Sequence, residues 1–148
     1  MHFDLVDRVV EQSAQHIITL KLVSGAEEYL QDHFPTFPVL PGVMMLEAMV
    51  QAGRRLLEAH PSAAPDRPLV LGRVRALKYG RFVKPGSTLR VRVDLTKDLG
   101  GGEFDCRGEA VLVDPSAEPT AEPPTAVSGR LTFRPARVAA APGPVNGG

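Results

Sequence analysis

The sequence contains a single cysteine and no excess of either charge. Cys106 is the one cysteine among 148 residues, so the chain cannot form an internal disulfide or a zinc site made of several cysteines. Lys plus Arg number 17 and Asp plus Glu also number 17. A protein that binds nucleic acid over much of its surface is usually basic, so this balance disfavours that function.

Long apolar segments are missing as well. No apolar run approaches the roughly 18 residues that a membrane-spanning helix needs. The first eight residues lack the charged and apolar regions of a secretory signal, so we expect a cytoplasmic protein. Hydrophobic residues make up 43% of the chain, which is enough for the core of one soluble domain and excludes global disorder.

The net charge of zero conceals an uneven distribution. Residues 1–53 contain seven acids and two bases, residues 54–92 contain ten bases and two acids, and residues 93–148 contain five bases and eight acids. The ten middle bases are Arg54, Arg55, Arg67, Arg73, Arg75, Lys78, Arg81, Lys84, Arg90 and Arg92. They are either the solvated faces of strands or a docking surface for an acidic partner.

Alternating apolar residues predict several half-buried strands. The clearest are 15–22 (with His16, Ile18, Leu20 and Leu22 on one face), 89–95, 104–112 and 127–133, while 3–10 and 69–79 are less cleanly patterned. One segment, from Pro41-Gly42 to about Glu58, is apolar almost all round and predicts a buried helix. A short helix near 25–31 is also compatible with the sequence. We therefore expect an α+β fold in which an antiparallel sheet wraps around one long helix.

Two segments are predicted to be irregular. Residues 114–126 contain four prolines and predict a long loop between the last two strands. Residues 135–148 resemble a disordered tail, so the domain is expected to span residues 1–134.

Glu47 is the one carboxylate inside the apolar helical run. A buried carboxyl group retains its proton more readily, which suits a general acid, but Glu47 could equally face solvent or an interface. Gln51 lies four residues later on the same helical face and could hydrogen-bond to Glu47.

His33 precedes a stiff segment with prolines at positions 35, 38 and 41, which could hold the histidine near the start of the helix. There, the N–H of Gly42 would be available to a carbonyl oxygen that gains negative charge. The other histidines, His2, His16 and His60, are interpreted as structural residues, and no spacing among the histidines indicates a metal site.

These residues resemble the core motif of the 3-hydroxyacyl-[acyl-carrier-protein] dehydratases, which have the hotdog fold. The matched positions are His33-Phe34-Pro35, Pro38-Val39, Pro41-Gly42-Val43, Leu46-Glu47-Ala48-Met49 and Gln51. Weaker similarity at Phe3–Val9 and Phe82–Gly86 extends the resemblance from residue 3 to about residue 134. Glu at position 47 favours the type that only dehydrates over the type that also isomerises its product.

The resemblance implies a role for each matched residue. His33 would remove the C2 proton of a 3-hydroxyacyl thioester, and Glu47 would protonate the departing C3 hydroxyl group. The Gly42 N–H would polarise the thioester carbonyl, the Val39 carbonyl would orient His33, and Gln51 would orient Glu47. The product would be a trans-2-enoyl thioester, formed without a metal or other cofactor.

The resemblance also implies partners. The substrate would arrive on the phosphopantetheine of an acidic acyl carrier protein, which the bases of 54–92 would suit. Each active site would be shared between the two subunits of a homodimer, and many members of the family assemble further as trimers of dimers. Two alternatives stay open: a hotdog acyl-thioester hydrolase, and a non-catalytic subunit that binds acyl carrier protein.

Overall fold

The fold is a six-stranded antiparallel sheet packed against one long helix. The computed structural model describes residues 4–23, 40–113 and 122–137. Its elements are β1 (Arg8–Gln12), β2 (His16–Leu22), α1 (Gly42–Glu58), β3 (Leu69–Tyr79), β4 (Thr88–Gly100), β5 (Glu103–Val113) and β6 (Thr125–Pro135). The predicted α+β architecture is confirmed, and α1 spans the residues that the apolar run indicates.

The strands lie in the order β1-β2-β4-β5-β6-β3, and every neighbouring pair is antiparallel. Glycines occupy two of the connections between strands. Gly86 and the run Gly100-Gly101-Gly102 all have positive φ angles, which a residue with a side chain adopts only at a cost. This order leaves β1 and β3 at the two edges of the sheet.

One face of the sheet packs on α1 and forms the core. The predicted inward residues of β4, β5 and β6 are buried there, including Val91, Phe104, Leu131 and Phe133. The opposite face, called the outer face, carries the alternate residues of the same strands.

In strand β2, the face that packs on α1 is not the face that carries the predicted apolar set. Thr19 and Lys21 lie opposite the core residues Val91 and Leu89, so they point to α1. His16, Ile18, Leu20 and Leu22 do share one face, but it is the outer face. The inward placement of Lys21, which is 5% exposed, is possible because the carboxylate of Asp7 lies 3.6 Å from its ammonium group.

Helix α1 is less enclosed than its composition predicts. Its buried arc includes Met45, Met49, Ala52 and Leu56, but Val43 is 64% exposed. Within the described part of the chain, the arc containing Val43 and Glu47 turns away from the sheet. The described elements therefore do not cover the apolar residues on that arc.

The ends of several elements differ from the prediction. β1 begins at Arg8 instead of residue 3, because the N–H of Val6 donates to the Asp4 carboxylate in a local turn. β6 starts at Thr125, inside the predicted loop, and ends at Pro135. The N–H of Ala136 then donates to the Pro68 carbonyl, so the predicted tail begins with ordered residues. The rest of that loop and tail, and the possible helix near 25–31, lie outside the described residues, except for 122–124 and Arg137.

Candidate active site

Backbone hydrogen bonds fix the position at which α1 begins. The N–H of Leu40 donates to the Val83 carbonyl at 2.7 Å, just before Pro41 and Gly42 start the helix. Pro41 is the N-cap, and it offers no side-chain acceptor to the first helical N–H groups. The first turn therefore presents backbone donors that no capping side chain occupies.

The ring of Tyr79 lies against Gly42. A Cβ atom on Gly42 would lie 3.0 Å from the Cε1 and Cζ atoms of Tyr79 and 3.3 Å from its hydroxyl oxygen. Residue 42 is therefore a glycine next to an aromatic wall, at the end of β3. Tyr79 is 51% exposed, and Phe82, three residues later, is 69% exposed.

Sequence reasoning missed Tyr79 as part of this site. The sequence indicates this role only weakly, because Tyr79 is one residue before Gly80 at the end of a poorly patterned strand. Only the fold shows that β3 ends beside the first residue of α1. Together with Val43, the two aromatic residues give the start of the helix an exposed apolar surface.

Glu47 is half-buried one turn further along α1, where Gln51 holds it. The Oε1 atom of Gln51 accepts a hydrogen bond of 2.8 Å from the N–H of buried Leu5, so its Nε2 atom is available as a donor. That Nε2 atom donates to the Oε1 atom of Glu47 at 3.4 Å. The segment before β1 thus fixes the amide, and the amide contacts the carboxylate, as the four-residue spacing predicts.

His33 and Val39, the other two candidate residues, lie outside the described part of the chain. The described residues that flank this segment are both attached to one turn. Val23 donates to the Ser87 carbonyl and accepts from the N–H of Gly86, while Leu40 donates to Val83. The segment that contains His33 therefore leaves and rejoins the described structure within a few residues of the same turn, beside the start of α1.

The described histidines make local contacts. His16 shares its ring nitrogens with Ser13 and the Glu11 carboxylate, and His60 packs edge-on against Phe104 with ring centres 5.0 Å apart. The bond from His16 holds the pKa of the Glu11 carboxyl below its usual value. In the described residues, no three side chains of the metal-binding types come together.

Cys106 is not a candidate nucleophile. Its side chain is buried in the core, and burial raises the pKa of the thiol to about 12, with smaller contributions from the carboxylates of Asp105 and Asp94. A thiol in this state has almost no reactive thiolate near neutral pH. Among the described residues near the start of α1, the groups available for chemistry are the Glu47 carboxyl, the Gln51 amide, the Tyr79 hydroxyl and the backbone donors.

The ten middle bases do not share one surface. Arg54 and Arg55 lie on α1, whereas Arg73, Arg75 and Arg92 belong to strands whose outer faces turn away from the helix. Arg81 follows Tyr79 closely and is exposed. The bases nearest to Gly42 are thus those at and after the end of β3.

Comparisons with known proteins agree with one another. A family model described as ApeI-like, ApeI dehydratase, matches residues 9–114. The chain is 40% identical over 111 residues to a 3-hydroxyacyl-[acyl-carrier-protein] dehydratase FabZ of Pelotomaculum thermopropionicum, which covers 74% of this chain and 78% of that protein. It is also 37% identical to the bifunctional enzyme LpxC/FabZ of Bacteroides thetaiotaomicron, of which the match covers only 24%.

Solved structures show the same fold. The chain superposes with a TM-score of 0.65 on a chain of the dehydratase heterocomplex ApeI:P from Xenorhabdus doucetiae, with 14% identity, covering 90% of this chain and 99% of that one. In the described residues, no helix is both long enough and apolar enough to span a membrane.

Proposed function

Because the chain belongs to the 3-hydroxyacyl-[acyl-carrier-protein] dehydratase family with the hotdog fold, we propose that it converts 3-hydroxyacyl thioesters into trans-2-enoyl thioesters. The observation that carries the proposal is the arrangement at α1. A carboxylate held by an amide lies one turn along the helix from a glycine whose N–H begins that helix. The biosynthesis of fatty acids or related lipids is the setting that such a reaction serves.

The first proposed step is removal of a proton. His33 takes the C2 proton, and the Val39 carbonyl orients its ring. As the proton leaves, negative charge develops on the thioester oxygen. The N–H of Gly42 donates a hydrogen bond to that oxygen, which lowers the energy of the enolate-like transition state. The absence of a capping side chain at Pro41 supports this use of the first helical turn.

The second proposed step is loss of the hydroxyl group. Glu47 donates its proton to the C3 hydroxyl oxygen, the C3–O bond breaks and water departs as the C2–C3 double bond forms. Gln51 orients the carboxyl group through the contact between its Nε2 atom and Glu47. The bond from Leu5 to Gln51 prevents the amide from turning over, because a flipped amide would place two donors face to face.

The proposed substrate is carried by the phosphopantetheine of an acyl carrier protein, and no other cofactor takes part. An acidic carrier would approach the end of β3, where exposed Arg81 follows the aromatic wall beside Gly42. Of the outer-face bases of 54–92, Lys78 lies at the same end of β3, next to Tyr79, whereas Arg73 and Arg75 lie further back along that strand. A cytoplasmic location would supply such carriers.

A homodimer with shared active sites is the proposed working form. β3 is an edge strand, so its outer backbone groups can pair with a second copy. Val43, Tyr79 and Phe82 lie exposed near that edge and would be covered by the partner. In such a dimer, His33 of one subunit and Glu47 of the other would serve one site.

The test is an assay of purified protein with 3-hydroxyacyl thioesters, followed by the absorbance of the enoyl product and the loss of water in its mass. We expect His33→Ala and Glu47→Gln each to lower kcat by about 10²–10⁴-fold, because each removes a group that transfers a proton. Glu58→Gln is the matched control, since it makes the same change on an exposed position of the same helix.

Two results would contradict the proposal. Full activity in either variant would remove that residue from the mechanism. Release of free thiol without enoyl product would assign the chain to the acyl-thioester hydrolases instead. Circular dichroism of each variant ensures that a loss of activity is not a loss of folding.

A further inference from the structure

Arg54 lies on the same side of α1 as Glu47, the proposed acid. Residues seven apart in an α-helix differ by only about 20° around the axis, so Arg54 lies almost directly above Glu47. Val43, four residues before Glu47, falls on the same line. We call this line the Glu47 stripe (Val43, Glu47 and Arg54). It belongs to the arc of α1 that turns away from the sheet.

The guanidinium group of Arg54 is half-buried and has no anion beside it. Among the described residues, Arg54 forms neither an ion pair nor a side-chain hydrogen bond. Glu58 lies one turn further along the helix, at a spacing that favours ion pairs, but it is exposed and no ion pair joins the two. A partly buried charge without a partner is unfavourable, and a bound anion would offset that cost.

The distance from Glu47 to Arg54 is that of a short acyl chain. The rise of about 1.5 Å per residue places the Cα atom of Arg54 about 10 Å beyond that of Glu47. Long side chains on a helix point back toward its N-terminus, so the Arg54 side chain covers part of this distance. The gap that remains fits an extended chain of about three to six carbon atoms.

The proposed reaction sets the direction in which a substrate lies. With the thioester carbonyl at Gly42 and the C3 hydroxyl at Glu47, the rest of the acyl chain extends along α1 toward Arg54. Val50 borders this path on the side of the sheet and is buried, at 5% exposed. Gln51, whose amide is fixed by the segment before β1, borders it on the other side. The far end of the acyl chain therefore meets a positive charge.

We propose that Arg54 is a specificity-determining residue that selects 3-hydroxyacyl chains ending in a carboxylate, which are half thioesters of dicarboxylic acids. A guanidinium and a carboxylate form two parallel charge-assisted hydrogen bonds, and a chain of the wrong length cannot make them. An acyl chain without the carboxylate would place a methyl group against the guanidinium and leave its donors unpaired. This inference rests on the proposed dehydration and adds the substrate class.

The experiment compares pairs of substrates with equal numbers of carbon atoms. The 3-hydroxyadipyl, 3-hydroxysuberyl and 3-hydroxysebacyl thioesters of pantetheine carry the terminal carboxylate, whereas the 3-hydroxyhexanoyl, 3-hydroxyoctanoyl and 3-hydroxydecanoyl thioesters do not. We expect the wild type to prefer the carboxylate in at least one pair by about 10- to 100-fold in kcat/KM, because a hydrogen bond to a charged group contributes that much. The preference should be greatest at one chain length.

Arg54→Met removes the charge and keeps an apolar side chain. The preference ratio should fall at least tenfold, and the loss should appear in KM more than in kcat, because the contact is the same in the ground state and the transition state. Arg54→Lys keeps the charge without the paired hydrogen bonds and should retain part of the preference. Arg55→Met makes the same change at the exposed neighbouring position and should keep the wild-type ratio.

Four results would overturn the inference. Equal kcat/KM within every pair would remove the carboxylate preference and leave the dehydration intact, and so would an unchanged preference in Arg54→Met. A wild type that dehydrates no substrate would overturn the proposed function together with this inference. Dissociation of Arg54→Met in sedimentation velocity, where the wild type and Arg55→Met stay assembled, would assign the guanidinium to a carboxylate of a partner subunit. Circular dichroism checks folding, and Arg54→Gln replaces Arg54→Met if the latter does not fold.

Discussion

At the scale of single residues, Tyr79 can lie against residue 42 because that residue is a glycine and has no Cβ atom. A Cβ on Gly42 would meet the Tyr79 ring at 3.0 Å, but Tyr79 is half exposed and can move. We expect Gly42→Ala to retain a melting temperature within a few degrees of the wild type. Displacement at the first helical turn should nevertheless lower kcat/KM for a 3-hydroxyacyl thioester about 10- to 100-fold.

The matched double variant separates this contact from other effects of alanine. Gly42→Ala with Tyr79→Ala removes the ring that the new methyl group meets, so it should recover part of the activity that Gly42→Ala loses. Tyr79→Ala alone provides the reference for the loss of the ring. If the double variant is no more active than Gly42→Ala, the contact with Tyr79 does not explain the glycine.

Cys106 predicts how stability changes in alkaline solution. Its folded pKa is raised to about 12, whereas an unfolded thiol ionises near 8.5, so the unfolded chain loses its proton first as the pH rises. The stability that this thiol contributes is therefore complete below about pH 8.5 and is lost between that pH and about 12. Over this range the free energy of unfolding should fall up to about 1.4 kcal/mol per pH unit more steeply than in Cys106→Ala.

Denaturant unfolding at pH 8, 9, 10 and 11, with a reducing agent present, measures both slopes. The baseline cost of Cys106→Ala does not matter, because only the difference in slope is compared. Lysines and tyrosines titrate in both proteins and cancel. Parallel curves for the two proteins would show that the thiol is not held in its neutral form by the fold.

At the scale of elements, α1 approaches the sheet closely because residue 53 is a glycine. A Cβ there would lie 2.6 Å from the Cζ atom of Phe133, which is fully buried in β6. Alanine favours a helix over glycine by about 1 kcal/mol, but overpacking a core costs about 1–3 kcal/mol. We expect Gly53→Ala to lower the free energy of unfolding by up to about 2 kcal/mol, measured in urea.

A second substitution identifies the clash. Phe133→Leu shortens the side chain that the new methyl group meets. The loss of unfolding free energy in the double variant should therefore be smaller than the sum of the losses in Phe133→Leu and Gly53→Ala. A Gly53→Ala protein more stable than the wild type would mean that helix propensity outweighs packing at this position.

The elements that the sequence predicted well are those with an unbroken period. α1 keeps one buried arc, and β4, β5 and β6 alternate regularly over most of the predicted segments 89–95, 104–112 and 127–133, whose inward residues are largely buried. The two register shifts of β4 lie beyond Leu95. β3 was less clear because its register shifts twice, between Leu71 and Arg73 and between Arg75 and Lys78. Ala76, in the second shift, has a φ of 53°, a conformation that its residue type does not indicate.

The candidate site shows the same limit. Glu47 and Gln51 were predicted from their spacing along one helix, and the structure places them in hydrogen-bond contact. Tyr79 depends on the meeting of the end of β3 with the start of α1, which are 37 residues apart in sequence. Contacts of that kind depend on the order of the strands in the sheet. The pairing of β3 with β6, which are far apart in the chain, produces no pattern in the sequence of either strand. His33 and Val39 stay predictions.

At the scale of the whole molecule, the proposed sharing of each site by two subunits has a consequence that no single variant shows. His33→Ala and Glu47→Gln are each expected to be inactive as homodimers. In a mixed dimer, however, one site would combine His33 and Glu47 from the two intact positions, and the other would hold both substitutions. Random exchange of equal amounts makes half of the dimers mixed, so about one quarter of the wild-type activity should return.

The measurement follows the rate of enoyl formation after the two inactive proteins are mixed and incubated long enough for subunits to exchange. Each protein incubated alone at the same total concentration is the control, and so is a mixture of His33→Ala with the doubly substituted chain, which has no route to an intact site. If both residues of a site came from one chain, mixing would restore nothing. In that case a monomer would contain a complete site, and catalysis would not require a partner subunit at the β3 edge.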